Sequence, residues 1–300
     1  MVRKVVHKPL RKLVRKVVRK VVHLAELVRW EHTVFALPFA YAATFLASEG
    51  WPRVHDFFWV TVAMVGARTA AMGLNRLVDR ALDALNPRTS HWHLPRGVVK
   101  PGEVVALVMV SLAALALAAA MLNPLCLKLF PAAVLVLVVY PYTKRFTWGC
   151  HFVLGLAEFA APFGGWIAVT GRVHPAALLL GAGAGLWVAG FDILYALADV
   201  DFDRAHGVHS IPARFGTRGA LYWSRAVHAV AWVCLLGVMP LLGAGLWYGV
   251  GLGAMGGLLV YEHSLLSADD LSRLNRAFFD LNGIISVVFF VATAISALVG

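Results

Sequence analysis

The chain has 300 residues, of which 60% are hydrophobic and only 14% are charged. A soluble domain of this length does not need so much apolar surface, and the sequence lacks the short alternating segments of a membrane β-barrel. The formal net charge is +11, but residues 1–20 hold nine of the 27 lysines and arginines and no acidic residue. The remainder carries 18 basic against 16 acidic residues. Because the excess charge is local, the composition argues against a nucleic-acid-binding protein.

The first 28 residues form a basic segment with the pattern of an amphipathic helix. Pairs of Arg and Lys recur every four residues from Arg11 to Lys20, and Leu and Val fill the opposite half of the helix. Such a helix is suited to lie on an anionic membrane leaflet. A disordered basic arm is the alternative, whereas no apolar region with a cleavage site follows that would indicate a signal peptide. We therefore separate residues 1–28 from a membrane domain at residues 29–300.

The rest of the chain predicts an all-α polytopic membrane protein, because nine apolar segments are long enough for a bundle of about nine transmembrane helices. The predicted spans cover residues 33–48, 56–78, 103–122, 125–140, 149–170, 176–198, 220–240, 245–262 and 279–298. Asn123 and Pro124 separate the third span from the fourth. Most basic loop residues follow the even-numbered spans, which predicts that the N-terminus and a capping active site face the cytoplasm.

The second span ends in a polar face formed by Asn75, Asp79 and Asp83. Their four-residue spacing places an amide and two carboxylates on one side of a helix. Neighbouring carboxylates repel each other unless a cation joins them, and oxygen ligands of this kind suit Mg²⁺. Arg68 precedes Asn75 by seven residues and shares its side. Because an arginine is costly at membrane depth, we expect Arg68 to line this site rather than to form a purely structural ion pair.

A second acidic face follows the sixth span. Asp199 and Asp203 lie 120 positions after Asp79 and Asp83, and Asp192 lies two turns before Asp199. This offset indicates a duplicated unit, although either cluster alone could be an ordinary solvated helix end. Two clusters at matching offset predict that metal ions held between them clamp the oxygens of a diphosphate.

Basic loops and an apolar bundle surround these acidic faces. A metal-bound diphosphate beside hydrocarbon suits a prenyl diphosphate, whose head is polyanionic and whose tail belongs in the membrane. A secondary transporter is the alternative from another class, because Arg68 and Glu158 both lie inside spans. The transporter alternative predicts a site at the bilayer midplane, whereas the acidic faces here occur at the ends of spans. The glycine-rich runs at residues 181–185 and 251–257 predict close helix packing rather than phosphate binding.

Nearly all of the chain after residue 28 resembles the UbiA superfamily of intramembrane aromatic prenyltransferases. The Asn-x3-Asp-x3-Asp motif of that family occurs at residues 75–83. Its second motif, an Asp-x3-Asp pair preceded by Asp and Tyr, is met at residues 199–203 with Asp192 and Tyr195. Flanking phrases, such as Asn-Pro-Arg-Thr at residues 86–89, resemble the bacterial quinone-pathway branch.

The resemblance implies a nine-helix fold and Mg²⁺-dependent transfer of a polyprenyl group to a hydroxy-aryl acid of the 4-hydroxybenzoate type. A dihydroxynaphthoate, 1,4-dihydroxy-6-naphthoate of the futalosine menaquinone route, is the alternative acceptor. The expected location is the bacterial cell membrane. The implied metal ligands are Asp79, Asp83, Asp199 and Asp203. The implied substrate-binding residues are Arg29, Asn75, Arg88, Lys144 and Arg145. The candidate catalytic residues are Asp192, Tyr195 and Arg68.

Within this interpretation Arg88, Lys144 and Arg145 contact the diphosphate, and Arg29 binds the carboxylate of the aromatic acid. Asp192 and Tyr195 orient the acceptor or take its proton, and the sequence does not separate these two roles. The chain departs from the family at Trp92, where related sequences commonly have an arginine. Either His91 and His93 offset the loss of this cation, or the head group is contacted differently, or the tryptophan is an anchor at the membrane interface, which we slightly favour.

Overall fold

The computed structural model describes residues 15, 18–29, 33–274 and 276–299, and only the backbone of residues 33, 34 and 278. This described part of the chain is helical and contains no strand. Its helices are α1 (18–27), α2 (Thr33–Ser48), α3 (Val54–Leu85), α4 (Pro101–Leu122), α5 (Pro124–Thr143), α6 (Cys150–Thr170), α7 (Pro175–Tyr195), α8 (Val200–Ala205), α9 (Ile211–Leu236), α10 (Val238–Leu242), α11 (Leu246–Ser264) and α12 (Asn282–Val299). A 3₁₀ turn at Ala196–Asp199 joins α7 to α8, and a π-helical turn at Arg276–Leu281 precedes α12.

The protein is a multi-pass membrane protein. Within the described residues, seven helices are long and apolar enough to cross a membrane, and the segment Phe35–Ser48 of α2 is apolar but shorter. A helix is found at each of the nine predicted positions, but α2 and α11 do not reach the same criterion. The count of nine spans is therefore not confirmed. The largest shifts in boundary are at α3, which continues to Leu85, and α9, which begins at Ile211.

The break between α4 and α5 follows from two adjacent residues, as predicted. The side chain of Asn123 accepts hydrogen bonds from the backbone N–H groups of Leu125 (3.1 Å) and Cys126 (3.0 Å). Pro124 occupies the first turn of α5, where its missing N–H leaves no helical hydrogen bond unmade. Capping and proline together reverse the chain between two helices that would otherwise read as one long apolar run.

Helix α7 is the central helix of the bundle. In an apolar stretch of 18 residues in this span, 72% of the residues are buried. The corresponding share in α5 is 17%, which makes α5 the most peripheral of the seven spans. Phe39 of α2 packs between Trp187 of α7 and Phe289 of α12, with ring centroids 4.9 Å apart in both pairs. Since lipid is as apolar as these side chains, such contacts stabilise the bundle through close packing rather than through transfer from water.

Glycines let α6 and α7 approach at backbone distance, which confirms the packing role predicted for residues 181–185. A Cβ atom added to Gly155 would lie 2.5 Å from the carbonyl oxygen of Gly185, and one added to Gly185 would meet the carbonyl of Gly155. A second example is Gly251, where an added Cβ would lie 2.5 Å from the Cβ of Ala292. Small residues at these crossings set the distance between helices.

We expect Gly155→Ala to destabilise the protein by roughly 1–3 kcal/mol, because the new methyl group overpacks a backbone contact. The matched control is Gly164→Ala in the same helix, where an added Cβ meets no described atom within 4 Å. The control is expected to be neutral or slightly stabilising, since alanine favours helix more than glycine does. Thermal unfolding in detergent measures both changes, and equal unfolding temperatures for the two variants would contradict the packing argument.

The basic N-terminal segment is described only in part. Residues 1–14, 16 and 17, which carry most of the predicted amphipathic pattern, lie outside the described residues. In α1, Val21 and Val22 are exposed, whereas Leu27 is buried in a small apolar cluster with Leu94 and Val99. The end of the segment therefore packs onto the loop between α3 and α4. Contact between the preceding residues and an anionic leaflet stays a prediction.

Candidate active site

A cavity of about 270 Å³ lies where α3, α5, α6 and α7 meet at one end of the bundle. Both polar and apolar side chains line its wall. It brings together every candidate residue named from the sequence except Arg145, namely Arg29, Arg68, Asn75, Asp79, Asp83, Arg88, Lys144, Asp192, Tyr195, Asp199 and Asp203. The two acidic faces, 120 residues apart in sequence, therefore lie on one cavity and at the same end of the bundle.

The first acidic face lies on α3, which runs through it without a break. Asp79 is buried, and its Oδ2 atom accepts a hydrogen bond of 2.6 Å from Nζ of Lys144. Lys144 directly follows the last residue of α5, so the end of α5 is held against α3 by an ion pair. Asn75 donates from Nδ2 to the hydroxyl of Tyr140 at 3.0 Å.

Arg145 lies behind this face rather than in the cavity. Its Nη1 atom donates to the carbonyl oxygen of Pro141 (2.9 Å), and its Nη2 atom donates to that of Val78 (2.8 Å). A longer contact of 3.4 Å joins Nη2 to Oδ1 of Asp79. Arg145 thus fixes the end of α5 to α3 and adds positive charge behind Asp79. The geometry gives it a supporting position, unlike the direct contact with a diphosphate that the sequence predicted.

The second acidic face begins at Asp199, the last residue of the 3₁₀ turn. Arg88 forms an ion pair with both carboxylate oxygens of Asp199, and Nδ2 of Asn86 donates to Oδ1 at 2.9 Å. Nη1 of Arg88 also donates to the hydroxyl of Tyr195 at 2.6 Å. Burial opposes the charge of Arg88, but the hydrogen bonds to Asp199 and Tyr195 outweigh it and raise the pKa of the guanidinium. The loop after the first acidic face therefore contacts the second directly.

Asp203 lies one turn further on, in α8, and is also buried. The hydroxyl of Ser210 donates to Oδ2 of Asp203 at 2.9 Å and accepts from the backbone N–H of Ala213 at 3.2 Å. Ser210 is the residue that caps the start of α9. One hydroxyl thus caps the N-terminus of α9 and orients a carboxylate. The charge of Lys144 also acts on Asp203, which links it electrostatically to the first face.

Asp192 pairs with His151, a residue that the sequence reasoning missed. Nδ1 of His151 lies 2.6 Å from Oδ2 of Asp192, and the backbone N–H of Ile211 donates to Nε2 of His151 at 3.3 Å. Because Nε2 accepts a hydrogen bond, Nδ1 carries the proton that is shared with Asp192. The sequence signal was a histidine in the first turn of a mostly apolar helix, two turns before Glu158.

Trp92 lies on the wall of the cavity, and its role as an anchor at the membrane interface stays a prediction. Its ring is half-buried and lies beneath the guanidinium of Arg76, 3.7 Å from the centroid. The guanidinium groups of Arg29 and Arg88 lie at 5.3 Å and 5.8 Å. Each such cation–π contact contributes about 0.5–2 kcal/mol, depending on how far it is shielded from water. The tryptophan therefore collects three arginines at the mouth of the site.

A second cavity of about 280 Å³ adjoins the first and is almost entirely apolar. Its walls come from α3, α4, α5 and α6, and Arg68, Tyr140 and Glu158 belong to the walls of both cavities. Nη1 of Arg68 lies 4.0 Å from Oε1 of Glu158. The predicted position of Arg68 in the site is thus found, at the boundary between a polar and an apolar compartment.

The model of the UbiA prenyltransferase family matches residues 36–292. The chain belongs to the UbiA prenyltransferase family. It is similar to the 4-hydroxybenzoate octaprenyltransferase of Aeromonas salmonicida, with 32% identity over 82% of this chain and 85% of that protein. The corresponding enzyme of Aliivibrio fischeri is 28% identical over 86% of this chain and 90% of its own. As a UbiA prenyltransferase the protein is an enzyme, so the transporter alternative is wrong.

Solved structures of UbiA homologues share the fold. The apo structure of a homologue from Aeropyrum pernix K1 has a TM-score of 0.81 and 33% identity, and the match covers 89% of this chain and 98% of that one. A homologue from Archaeoglobus fulgidus bound to DMAPP and Mg²⁺ has a TM-score of 0.71 and covers 91% of this chain and 98% of its own. At 21% identity, this second likeness shows the fold alone.

The carboxylates of this UbiA cavity suit a divalent cation. Among the described residues, Oδ2 of Asp83 is buried and accepts no hydrogen bond, and the nearest cation is Nη1 of Arg76 at 3.8 Å. A buried carboxylate oxygen without a partner is costly, and a hard cation would complete its contacts. Asp79 and Asp199 already pair with Lys144 and Arg88, so a cation would share these two carboxylates with the basic residues.

Arg76 is another residue that the sequence reasoning missed. It lies seven residues before Asp83, which is the same spacing that related Arg68 to Asn75, so the helical period contained the signal. The structure places Arg76 between Asp83 and the ring of Trp92.

Proposed function

We propose that the protein transfers a polyprenyl group from a prenyl diphosphate to a hydroxy-aryl acid of the 4-hydroxybenzoate type, with Mg²⁺ as cofactor. One observation carries this proposal: two acidic clusters and their basic partners line a polar cavity that shares a wall with an apolar one. A substrate with a polyanionic head and a hydrocarbon tail needs both compartments. The names of the curated relatives support the choice of 4-hydroxybenzoate over the naphthoate acceptor.

The diphosphate head belongs at the acidic faces. Asp79, Asp83, Asp199 and Asp203 are the residues that would hold Mg²⁺, with Asn75 assisting from the preceding turn. When bound, Mg²⁺ supplies positive charge that stabilises the departing diphosphate.

Lys144 and Arg88 are the cations that contact the head group directly. They pair with Asp79 and Asp199, and the diphosphate oxygens offer both cations a second anionic partner. Arg145 supports Asp79 from behind.

The tail belongs in the apolar cavity, with the reacting carbon near Arg68 at the boundary. During transfer the bond between the prenyl C1 and the diphosphate oxygen breaks, and the diphosphate keeps the electron pair. A ring carbon of the acceptor forms the new bond to C1, and the proton on that ring carbon is lost. Head and tail contacts fix C1 in place, which removes much of the entropic barrier to the bimolecular step.

The aromatic acid belongs on the side of Arg29, Tyr195 and Asp192. Arg29 lies beside Trp92 at the cavity wall and offers a guanidinium to the carboxylate of the acceptor. Asp192, oriented by His151, is an acceptor for the proton that leaves the ring or the hydroxyl group. The hydroxyl of Tyr195 accepts a hydrogen bond from Arg88, so Tyr195 connects the proposed acceptor position to the proposed diphosphate position.

The direct test is to incubate the purified protein in detergent with Mg²⁺, radiolabelled prenyl diphosphates and either acceptor. We expect labelled prenyl-4-hydroxybenzoate as the main product. Product from 1,4-dihydroxy-6-naphthoate alone would keep the reaction class and replace the acceptor. No product from either acid, with folded protein and a range of prenyl lengths, would overturn the proposal.

The length of the accepted tail is expected to depend on Ala133, which lines the apolar cavity. Ala133→Phe should shift the preference toward shorter prenyl diphosphates, because the phenyl group occupies space in a cavity of about 280 Å³. Leu135→Phe is the matched control, since Leu135 lies on the same helix but is 63% exposed and does not line the cavity. Rates measured over a series of prenyl lengths make the comparison, and parallel profiles for the two variants would contradict it.

The proposed location is the bacterial cell membrane, with the N-terminus and the polar cavity on the cytoplasmic side. This orientation rests on the basic residues of the loops at the cavity end and of the first 20 residues. A cysteine introduced at exposed Arg96 should resist a membrane-impermeant thiol reagent in intact cells and react with it in inverted vesicles. Reaction of this cysteine in intact cells would show that the cavity end of the protein faces the opposite side of the membrane.

A further inference from the structure

A group of potential metal ligands lies outside the cavity, where α1 meets the loop between α3 and α4. It consists of His23 and Glu26 on α1 and His93 in the loop, and their ligand atoms all lie within 4.8 Å of one another. Nε2 of His93 is 3.0 Å from Oε2 of Glu26, and the two imidazole centroids are 5.2 Å apart. Two segments that are distant in sequence thus present two nitrogen ligands and one oxygen ligand to a common point.

Local structure explains how the group forms. His23 and Glu26 are three residues apart on a helix and therefore face the same side. Lys20 holds this side to the loop through a 3.3 Å hydrogen bond to the carbonyl oxygen of Val98, and to the first turn of α4 through an ion pair with Glu103. Apolar contacts between the end of α1 and the loop act in the same direction. His93 is thereby pressed against the two helical ligands.

The chemistry of these ligands differs from that of the acidic cavity. Imidazole nitrogens and a single carboxylate suit Zn²⁺ and similar transition ions, whereas Mg²⁺ prefers oxygen ligands alone. Ligand atoms bound about 2.0–2.1 Å from a tetrahedral Zn²⁺ lie roughly 3.4 Å apart, so small side-chain movements would close the group around an ion. Side-chain exposure of 28% for His93 and 52% for Glu26 leaves an entry path and room for water as fourth ligand.

We propose that His23, Glu26 and His93 form a second metal site, which binds Zn²⁺ or a related divalent transition ion and clamps α1 to the loop. The site borders the cavity through the chain itself. Glu26 lies three residues before Arg29, and His93 directly follows Trp92. Each of the two segments that the metal would join therefore also contributes a residue to the cavity wall. Arg29 stands in a left-handed turn with φ of 47°, a strained conformation that a fixed α1 would help to hold.

The proposal is tested by measuring bound metal in the purified full-length protein. The protein is stripped with a chelator, titrated with Zn²⁺ in excess Mg²⁺, and compared with His23→Ala, His93→Ala and His91→Ala. His91 is exposed on the same loop and serves as the matched control. We expect one strongly bound Zn²⁺ in the wild type and in His91→Ala, and affinity at least about 10-fold lower in the other two. Equal affinity in all four proteins would overturn the site.

Two further arms separate this site from the acidic cavity and from loss of folding. The titration is repeated with Asp83→Asn and Asp203→Asn combined, since carboxylates also attract Zn²⁺, and the tight site should persist. Glu26→Gln removes one ligand at a half-exposed position and should bind Zn²⁺ more weakly while unfolding normally without metal. Zn²⁺ should raise the unfolding temperature of every protein that keeps the site, namely the wild type, His91→Ala and the double aspartate variant, and should raise it less in His23→Ala, His93→Ala and Glu26→Gln. If tight binding is lost when both aspartates are replaced, the Zn²⁺ binds in the acidic cavity. If the affinity of Glu26→Gln is unchanged, Glu26 is not a ligand. Either result would leave His93 and Glu26 as an ordinary ion pair and would overturn the proposal.

Discussion

Replacing Asp199 with Asn is expected to lower the rate of prenyl transfer by roughly 10²–10³-fold, because the charge stabilisation of the leaving group is weakened. The substitution removes a negative charge from the second acidic face and leaves Arg88 without its ion-pair partner. The rate is to be measured at saturating Mg²⁺ and prenyl diphosphate, so that a weaker affinity for either does not mask the chemical step.

The matched control for this change is Asp201→Asn. Asp201 lies between Asp199 and Asp203 in sequence but is exposed, so it carries the same charge on the opposite side of the short helix. We expect the control to keep nearly full activity. If Asp199→Asn and Asp201→Asn turned over at the same rate, the second acidic face would have no part in the reaction.

Replacing Arg88 with Ala is the second substitution with a large expected effect. Arg88 contacts Asp199 and Tyr195 and lies beside Trp92, so its loss removes a cation from the proposed diphosphate position and unties the loop from the 3₁₀ turn. We expect kcat/KM for the prenyl diphosphate to fall by roughly 10²-fold, in line with loss of a charged hydrogen bond. Arg88→Lys should recover part of the rate, because lysine keeps the charge but not the two-pronged contact.

Arg96→Ala is the control for this substitution, since Arg96 is exposed on the same loop. It removes one positive charge from the same end of the protein without touching the cavity. A fall in thermal stability of Arg88→Ala with an unchanged kcat/KM would assign Arg88 a structural role only. Comparable losses in both variants would indicate a general effect of loop charge.

The helical period made the first acidic face predictable from sequence. Asn75, Asp79 and Asp83 recur every four residues, and α3 continues unbroken beneath them. The second face shares the spacing but not the local structure, because the chain tightens into a 3₁₀ turn that ends at Asp199 and then re-enters a helix. Spacing alone therefore indicated that acids would converge, without revealing which backbone presents them.

The partners of these acids were harder to predict, because they depend on tertiary contacts. Arg88 and Asp199 are 111 residues apart, and no local pattern relates them. His151 meets Asp192 only because α6 and α7 pack at backbone distance through Gly155 and Gly185. The position of Trp92 likewise depends on α3 and the turn after α1, which bring Arg76 and Arg29 to its ring. Periodicity identifies faces, whereas pairing across faces requires the packed structure.

The wall that joins the two cavities has a consequence for how the enzyme selects its substrates. Arg68 and Glu158 lie at the boundary between the polar and the apolar cavity. In the proposed function, a donor held by its charged head in the polar cavity and by its hydrocarbon tail in the apolar one would present its reacting carbon at that border without direct contact from a residue to the carbon. The apolar cavity would then determine the preferred chain length, and the polar cavity would determine the preferred head group. Substitutions in one cavity could therefore change one preference without changing the other.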